Sequence, residues 1–513
     1  MSIANLPWLT ILAVTPLIGA IILWLLPKSK AGAAPKVALG FSILTFALFF
    51  GAFAAFDRGA SGTIQLAEQH AWIPQIGASY ALGVDGVGLL LVFLSVLLVP
   101  LVIGAAWREQ GVATAEGEEL VAAHGRLRHY LALILVLEFF MVLIFSARDV
   151  FLFYVVFEAM LLPVYFMISV FGTGARRRYA ALKFLLFSLI GGLVMLVAMI
   201  GLVLAGPGGP QAFLTDNLVN IVADPTLERW LFLGFFLAFA VKAPMFPVHT
   251  WLPDTAQHAP AGTSVLLVGV LDKVGTFGML TLCLPLFPNA AVWAAPVIIV
   301  FAVISILYGA LLALGQRDLM RLIAYTSVSH FGFIVLGIFT FTQLGTAGAS
   351  FYMLNHGLAT GGLFLIAGFL FLRSKSGSSQ LIDDFGGLQK VTPVLAGVFL
   401  TLGLATLSMP GLSPFVSEIM VLIATFGVNH WAAIFAAIAV ILAALYILFT
   451  YQKIFTGKPT EDMVGRADLN VREKWVIAPI IALLLVLGFV PQVALQFVKE
   501  PAQISVSTIE GNN

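Results

Sequence analysis

Six of the 51 formal charges in this 513-residue chain fall inside long apolar runs: Glu138, Glu158, Lys242, Asp272, Lys273 and Glu418. Placing one charge at the centre of a bilayer costs about 2.5–3.5 kcal/mol on insertion scales. Six such costs call for a function, and the chemistry these side chains share is proton exchange. Both buried cations are lysines, and a lysine can give up its proton where an arginine stays charged. Glu158, in Phe157-Glu-Ala-Met-Leu-Leu-Pro163, is the expected partner of a buried lysine. An opposite charge favours the ammonium form and burial disfavours it. A lysine held between those pulls can load and release a proton; the plainer alternative is a static ion pair that joins helices. Lys242 comes just before a proline-rich stretch, where water and freed carbonyls can reach it. Lys273, in Leu271-Asp-Lys-Val-Gly-Thr-Phe-Gly278, is placed to receive a proton from Lys242 through water. Asp272 cannot share its helix face, because successive residues do not face the same way, so it is expected to pair with a different helix. Glu418, in Pro414-Phe-Val-Ser-Glu418, suits a terminal proton acceptor, and Glu138 a coupling group. His330 and His356 also lie mid-run, and an imidazole with an ordinary pKa of about 6.5 suits a relay. His249 and His258 bracket a connection that can line a water entry. No cysteine or spaced carboxylate completes a metal site with them.

The elements that must hold these groups follow from composition. The chain is 60% hydrophobic and 10% charged, with mean hydropathy +1.04. Soluble domains are nearer 45–50% apolar and about 25% charged, so a soluble enzyme, a nucleic-acid binder and a disordered protein are excluded. Net charge is +1, which implies no bulk electrostatic partner. The single cysteine, Cys283, excludes an internal disulfide and a cluster held by several cysteines of this chain. The first apolar run is long enough to span and lacks a basic leader, so no cleavable signal peptide is expected. At about 20 residues per span, apolar runs predict fourteen membrane helices near 8–26, 37–56, 86–107, 130–147, 149–172, 181–205, 230–248, 262–284, 291–315, 322–341, 347–372, 393–427, 430–452 and 475–497. The segment 57–85 reads as irregular and 374–380 as a flexible polar turn. Neither a phosphate-cradling glycine loop nor a nucleophile elbow nor a cofactor fingerprint is present.

Charge counting tests that map. With the N-terminus outside and alternating spans, 20 of the 26 Lys and Arg residues fall in inside loops, Lys375 among them. Arg58, Arg148, Arg229 and Lys499 fall outside, and Lys242 and Lys273 lie mid-span. This positive-inside bias predicts an even number of spans with both termini on the outer side. Two spans are interrupted. Val241-Lys-Ala-Pro-Met-Phe-Pro247 breaks the seventh, and Met409-Pro-Gly-Leu-Ser-Pro414 breaks the twelfth, whose 35 residues are too many for one crossing. Proline removes a backbone donor, and in lipid the freed carbonyls need protein or water. Broken helices at corresponding places of two halves point to an ion or substrate site. Here they lie five spans apart. The expected organisation is therefore 1–129 (three N-terminal helices), 130–284 (a first five-helix repeat), 285–452 (an inverted second repeat) and 453–513 (a last helix and tail). The fold class is an all-α membrane protein.

Two stretches carry a resemblance. Val241-Lys-Ala-Pro-Met-Phe-Pro-Val-His-Thr-Trp-Leu-Pro-Asp-Thr-Ala-Gln-His-Ala-Pro260 and Gln316-Arg-Asp-Leu-Met-Arg-Leu-Ile-Ala-Tyr-Thr-Ser-Val-Ser-His-Phe-Gly332 resemble signatures of the antiporter-like membrane subunits of respiratory complex I. The resemblance covers roughly residues 75–500. Glu418, where the L and N types and the related cation/proton antiporters usually carry lysine, makes the chain similar to the M type, as does its length. The resemblance implies a proton-translocating membrane-arm subunit of NADH:quinone oxidoreductase. It makes Glu158 the partner of Lys242, Lys273 the connecting lysine and Glu418 the terminal group, with His330 and His356 on a central polar axis. Asp272 departs from the family pattern, in which an apolar residue is more usual before the lysine. No redox cofactor is implied on this chain; flavin, iron–sulfur clusters and quinone belong to partner subunits. The implied partners are the L-type and N-type subunits, the lateral helix of the L type and lipid, in a bacterial cytoplasmic membrane with the termini periplasmic. A subunit of a multi-subunit cation/proton antiporter or of a membrane-bound hydrogenase is the alternative.

Overall fold

The computed structural model describes residues 6–112, 115–374, 377, 379–459 and 461–511, apart from the side chain of residue 462. Lys375 and part of the turn expected at 374–380 lie outside the described residues. Helices dominate. Eleven are long and apolar enough to cross a membrane, and a twelfth crossing is added if a bent C-terminal pair counts as one. The expected seventh span falls outside that test. It is the helix Pro225–Lys242, which carries Glu228, Arg229 and Lys242. The expected twelfth span is two short helices, Pro393–Thr406 and Ser413–Val428. Among the described residues eleven or twelve of the fourteen expected crossings are thus long apolar helices, and the expected seventh and twelfth are not.

Burial sorts the spans. In the eighth (Ala261–Leu286) and eleventh (Gln343–Phe371), 94% of the apolar window is buried, against 39% in the sixth (Arg177–Ala205) and thirteenth (His430–Phe455). The eighth and eleventh spans are thus the axis of the bundle, and the sixth and thirteenth present leucine, isoleucine and phenylalanine outward, as a lipid-facing surface requires. Glycine sets the closest approaches on the axis. A Cβ at Gly275 would meet the Phe239 carbonyl oxygen at 2.4 Å, and one at Gly357 would meet the Gly269 carbonyl oxygen at 2.7 Å. The eighth span therefore touches the seventh on one side and the eleventh on the other through bare backbone.

Four features differ from expectation. The segment 57–85 is not irregular throughout: Gln65–Ile73 and Ala78–Val84 form an antiparallel hairpin, so the protein is not purely helical. Glu68 of that hairpin accepts from Leu9 N at 2.8 Å, and Asp149 Oδ2 accepts from Ser79 N at 2.7 Å while Oδ1 caps Phe151 and Leu152. The hairpin is thereby tied to the starts of the first and fifth spans. Burial pushes the Asp149 carboxyl up, and the three backbone N–H groups pull it back. The fourth span begins at Gly117, well before residue 130. The last span ends at Phe489, and Gln492–Glu510 turns away from it by 68°. Finally, the eighth span is not a uniform α-helix. Leu267–Leu271 and Met279–Cys283 are π-helical and flank the α-helical turn Lys273–Gly278.

The charged ends agree with two distinct faces. Arg373 and Glu473 pair at 2.7 Å where the eleventh span ends and the last begins, and Lys183 and Arg321 converge on Asp254, each at 2.6 Å. At the opposite end, Arg148 pairs with Asp216 at 2.5 Å beside the hairpin.

Candidate functional site

The polar groups of the buried axis form a chain that crosses four spans, the eighth, tenth, eleventh and twelfth. Lys273 Nζ lies 2.7 Å from His356 Nδ1 and also donates to the Val268 carbonyl at 2.5 Å. That carbonyl belongs to the π-turn, where Asp272 N bonds the Leu267 oxygen five residues back. The widened turn thus leaves an acceptor for the buried ammonium, a use in keeping with the frequent occurrence of π-bulges at functional positions. The His356 and His330 rings are 5.5 Å apart, centroid to centroid. His330 Nδ1 lies 2.7 Å from Tyr352 Oη, and Tyr352 donates to Glu418 Oε2 at 2.7 Å. Ser408 donates to the same oxygen at 2.6 Å. Lys273, His330, His356, Tyr352 and Glu418 are each at most 5% exposed.

Local structure explains the aim of each group. Tyr352 and His356 are four residues apart and share one face of the eleventh span. Gly269 and Gly357 remove the side chains that would hold the eighth span away from it. The loop between Thr406 and Ser413 places Ser408 in the left-handed region, φ +60°, a strained conformation for a non-glycine residue. That conformation turns its hydroxyl back to Glu418. Asn355 donates to the Ser413 carbonyl and the Ser417 hydroxyl, pinning the second half of the twelfth span to the eleventh. A cavity of about 420 Å³, lined by Leu404, Met409, Phe415 and Val440 among others, reaches Glu418 from the break.

The remaining candidates are not joined to that chain by direct contact. Lys242 is 1% exposed, and its ammonium has no hydrogen-bond partner; it lies over the Phe157 and Phe184 rings at 5.1 and 5.5 Å. It forms no ion pair with Glu158, whose Oε1 is also without a partner, although the two charges are within electrostatic reach. The arrangement is an open pair: the carboxylate is turned against Gly192, where a Cβ would clash with it. Asp272 and Glu138 are fully buried, and neither carboxylate has a hydrogen-bond partner. His249 packs against Phe246, Tyr308 and Tyr325, next to the seventh span's break, with Nδ1 unpartnered. His258 meets the Thr173 carbonyl at 3.1 Å, at the charged end of the bundle. Among the described residues no group of three His, Cys, Asp or Glu side chains could hold a metal ion.

Tyr352 and Ser408 were not singled out by the sequence, nor was Asp254. Spacing from His356 was the available signal for Tyr352. Asp254 sits in the same proline-rich stretch as Lys242 and joins the sixth span to the tenth through Lys183 and Arg321.

Residues 147–445 match the family model described as NADH:quinone oxidoreductase/Mrp antiporter, TM. The chain belongs to that family. Within the NADH:quinone oxidoreductase/Mrp antiporter family it is similar to NADH-quinone oxidoreductase subunit M of Mycobacterium tuberculosis, 45% identical over 98% of this chain and 95% of that one. It is also 38% identical to subunit M of Rhodobacter capsulatus, over 94% of this chain and 93% of that one. A chain of respiratory complex I from Thermus thermophilus with bound NADH matches with TM-score 0.86 at 31% identity, covering 98% of this chain and 99% of that chain. A chain of the Mrp complex from Dietzia sp. DQ12-45-1b shares the fold, with TM-score 0.83 at 21% identity over 99% of this chain and all of that one. The M-type reading made from Glu418 agrees with these relatives.

Proposed function

We propose that this chain is the M-type proton-translocating subunit of the membrane arm of a proton-pumping NADH:quinone oxidoreductase. The observation that carries the reading is the chain of buried contacts from Lys273 through His356, His330 and Tyr352 to Glu418, each able to hold or pass a proton. Loading begins at the open Glu158–Lys242 pair. When the carboxylate swings toward Lys242 it favours the ammonium form, and when it swings away it releases a proton toward Lys273. The histidines relay, since each has a buried Nε2 with no hydrogen-bond partner, free to take or give a proton. Glu418 receives the proton, with Tyr352 and Ser408 holding its carboxylate. Glu138 couples the first repeat to its surroundings, and His249 lines the entry beside the seventh-span break.

In this reading residues 130–284 and 285–452 are inverted repeats, each supplying one broken span and one half-channel. Flavin, iron–sulfur clusters and quinone reside on partner subunits, and redox energy reaches this chain mechanically and electrostatically. The L-type and N-type subunits flank it, the lateral helix of the L type runs along it, and both termini face the periplasm of a bacterial cytoplasmic membrane.

The test is Lys242→Met in the assembled complex. Inverted membrane vesicles are given NADH, and acidification is measured against NADH oxidised. Vesicles carrying the variant, with this subunit present at normal level, are expected to lose acidification. Normal acidification at normal assembly sinks the reading. Co-purification with redox-active subunits separates it from the antiporter alternative, which requires only other small membrane subunits.

A further inference from the structure

Asp272 is a buried acid for which the relay just described has no use. It is 0% exposed, and both carboxylate oxygens are without a hydrogen-bond partner. None of the ion pairs among the described residues includes it. Burying an unpaired, unsolvated carboxyl is costly. The packing around it is directional. Gly275, three residues on, shares its helix face, and Gly275 is the point at which the eighth span touches Phe239 O and Ala243 N at the end of the seventh. Asp272 therefore faces the segment that ends in Lys242, whose ammonium is likewise unpartnered. Lys273, about 100° further round the helix, faces the other way, to His356. The carboxyl interacts electrostatically with both lysines.

We propose that Asp272 is a proton-relay group standing between Lys242 and Lys273, taking up the proton that leaves the first and passing it round the eighth span to the second. This rests on the proton-translocation reading above and fills its step between the two lysines, which no direct contact joins. An N–H bond of the Lys242 ammonium breaks and an O–H bond forms on the Asp272 carboxylate. The O–H bond then breaks as Lys273 gains an N–H bond, and the carboxylate is restored. No electron moves, and no co-reactant is consumed.

The experiment compares Asp272→Asn, Asp272→Leu, Asp272→Glu and Lys242→Met in the whole complex, at matched subunit content. The rate of NADH-driven acidification is expected to fall about a hundredfold or more in the Asn and Leu variants and to recover in Asp272→Glu. Turnover-induced infrared difference spectra are expected to lose one protonated-carboxyl component in Asp272→Asn and to shift it in Asp272→Glu, which a packing role would not do. Asp272→Leu also guards against misfolding, because an apolar side chain of similar size removes the buried charge altogether. If Lys242→Met stops pumping while Asp272→Leu pumps normally, the relay role of Asp272 is overturned and the general function stands. If Lys242→Met pumps normally, the general function fails with it. Loss in Asp272→Leu without recovery in Asp272→Glu, and with an unchanged carboxyl spectrum, also overturns the relay role.

Discussion

Tyr352 is the narrowest point of the polar axis, because its one hydroxyl serves both His330 and Glu418. Tyr352→Phe keeps the ring and its packing and removes only that oxygen. A hydrogen bond to a charged group contributes about 1.5–3 kcal/mol, and 1.4 kcal/mol is a factor of about ten in rate. The rate of NADH-driven acidification is therefore expected to fall about tenfold or more in this variant, measured in inverted vesicles; an equal rate would place the transfer to Glu418 elsewhere. Ser408→Ala removes the second donor to the same carboxylate and is expected to act more weakly. The buried charges were legible in the sequence because each contradicts its apolar surroundings. Tyr352 was not, since a tyrosine in a span contradicts nothing. Ser408 could be recognised only once the backbone of the twelfth span's break was known. The Glu158–Lys242 pair was legible as two residues but not as an open arrangement, which depends on how Gly192 accommodates the carboxylate.

At the scale of elements, the eighth span holds its charges by being irregular. Each π-turn adds a residue to a helix, and two of them bracket Lys273. Deleting Val270 would restore an α-helical turn and withdraw the Val268 carbonyl, which the π-turn leaves free to accept from Lys273. Pumping is expected to be lost in this deletion and retained when Gly208 is deleted from an exposed loop, with vesicle acidification as the readout. Hydrophobic period could not reveal these turns, because nearly every position of the span is buried and no polar face marks the phase. The hairpin was missed for a related reason: Gln65–Ile73 faces mostly solvent, so it lacks the alternation that marks a half-buried strand. Its anchor is Asp149, and Asp149→Ala removes a helix cap and the bond to Ser79 together. A loss of about 2–3 kcal/mol is expected, visible as a lower unfolding temperature of the complex, with Asp149→Asn costing less. The start of the fourth span was missed because its first turns are polar and extend beyond the apolar run.

For the whole molecule, the charge asymmetry read from the sequence makes a direct prediction about sides. Thr63 is exposed beside the hairpin, and Ala175 is exposed beside Arg176 and Arg178. The native Cys283 is buried and is expected to remain silent to thiol reagents. A membrane-impermeant maleimide added to intact cells should modify Thr63→Cys and spare Ala175→Cys, with the pattern reversed in inverted vesicles. The bundle also fixes how the polar axis lies. Lys273 is midway along Ala261–Leu286, His330 along Leu319–Ile338 and His356 along Gln343–Phe371, so the groups succeed one another at nearly constant depth. Crossing the whole membrane against 100 mV involves about 2.3 kcal/mol per charge, but a step between groups at equal depth moves almost no charge along the field. Membrane voltage should therefore act on entry from one side and release to the other, and leave the lateral steps between lysine, histidine and glutamate untouched.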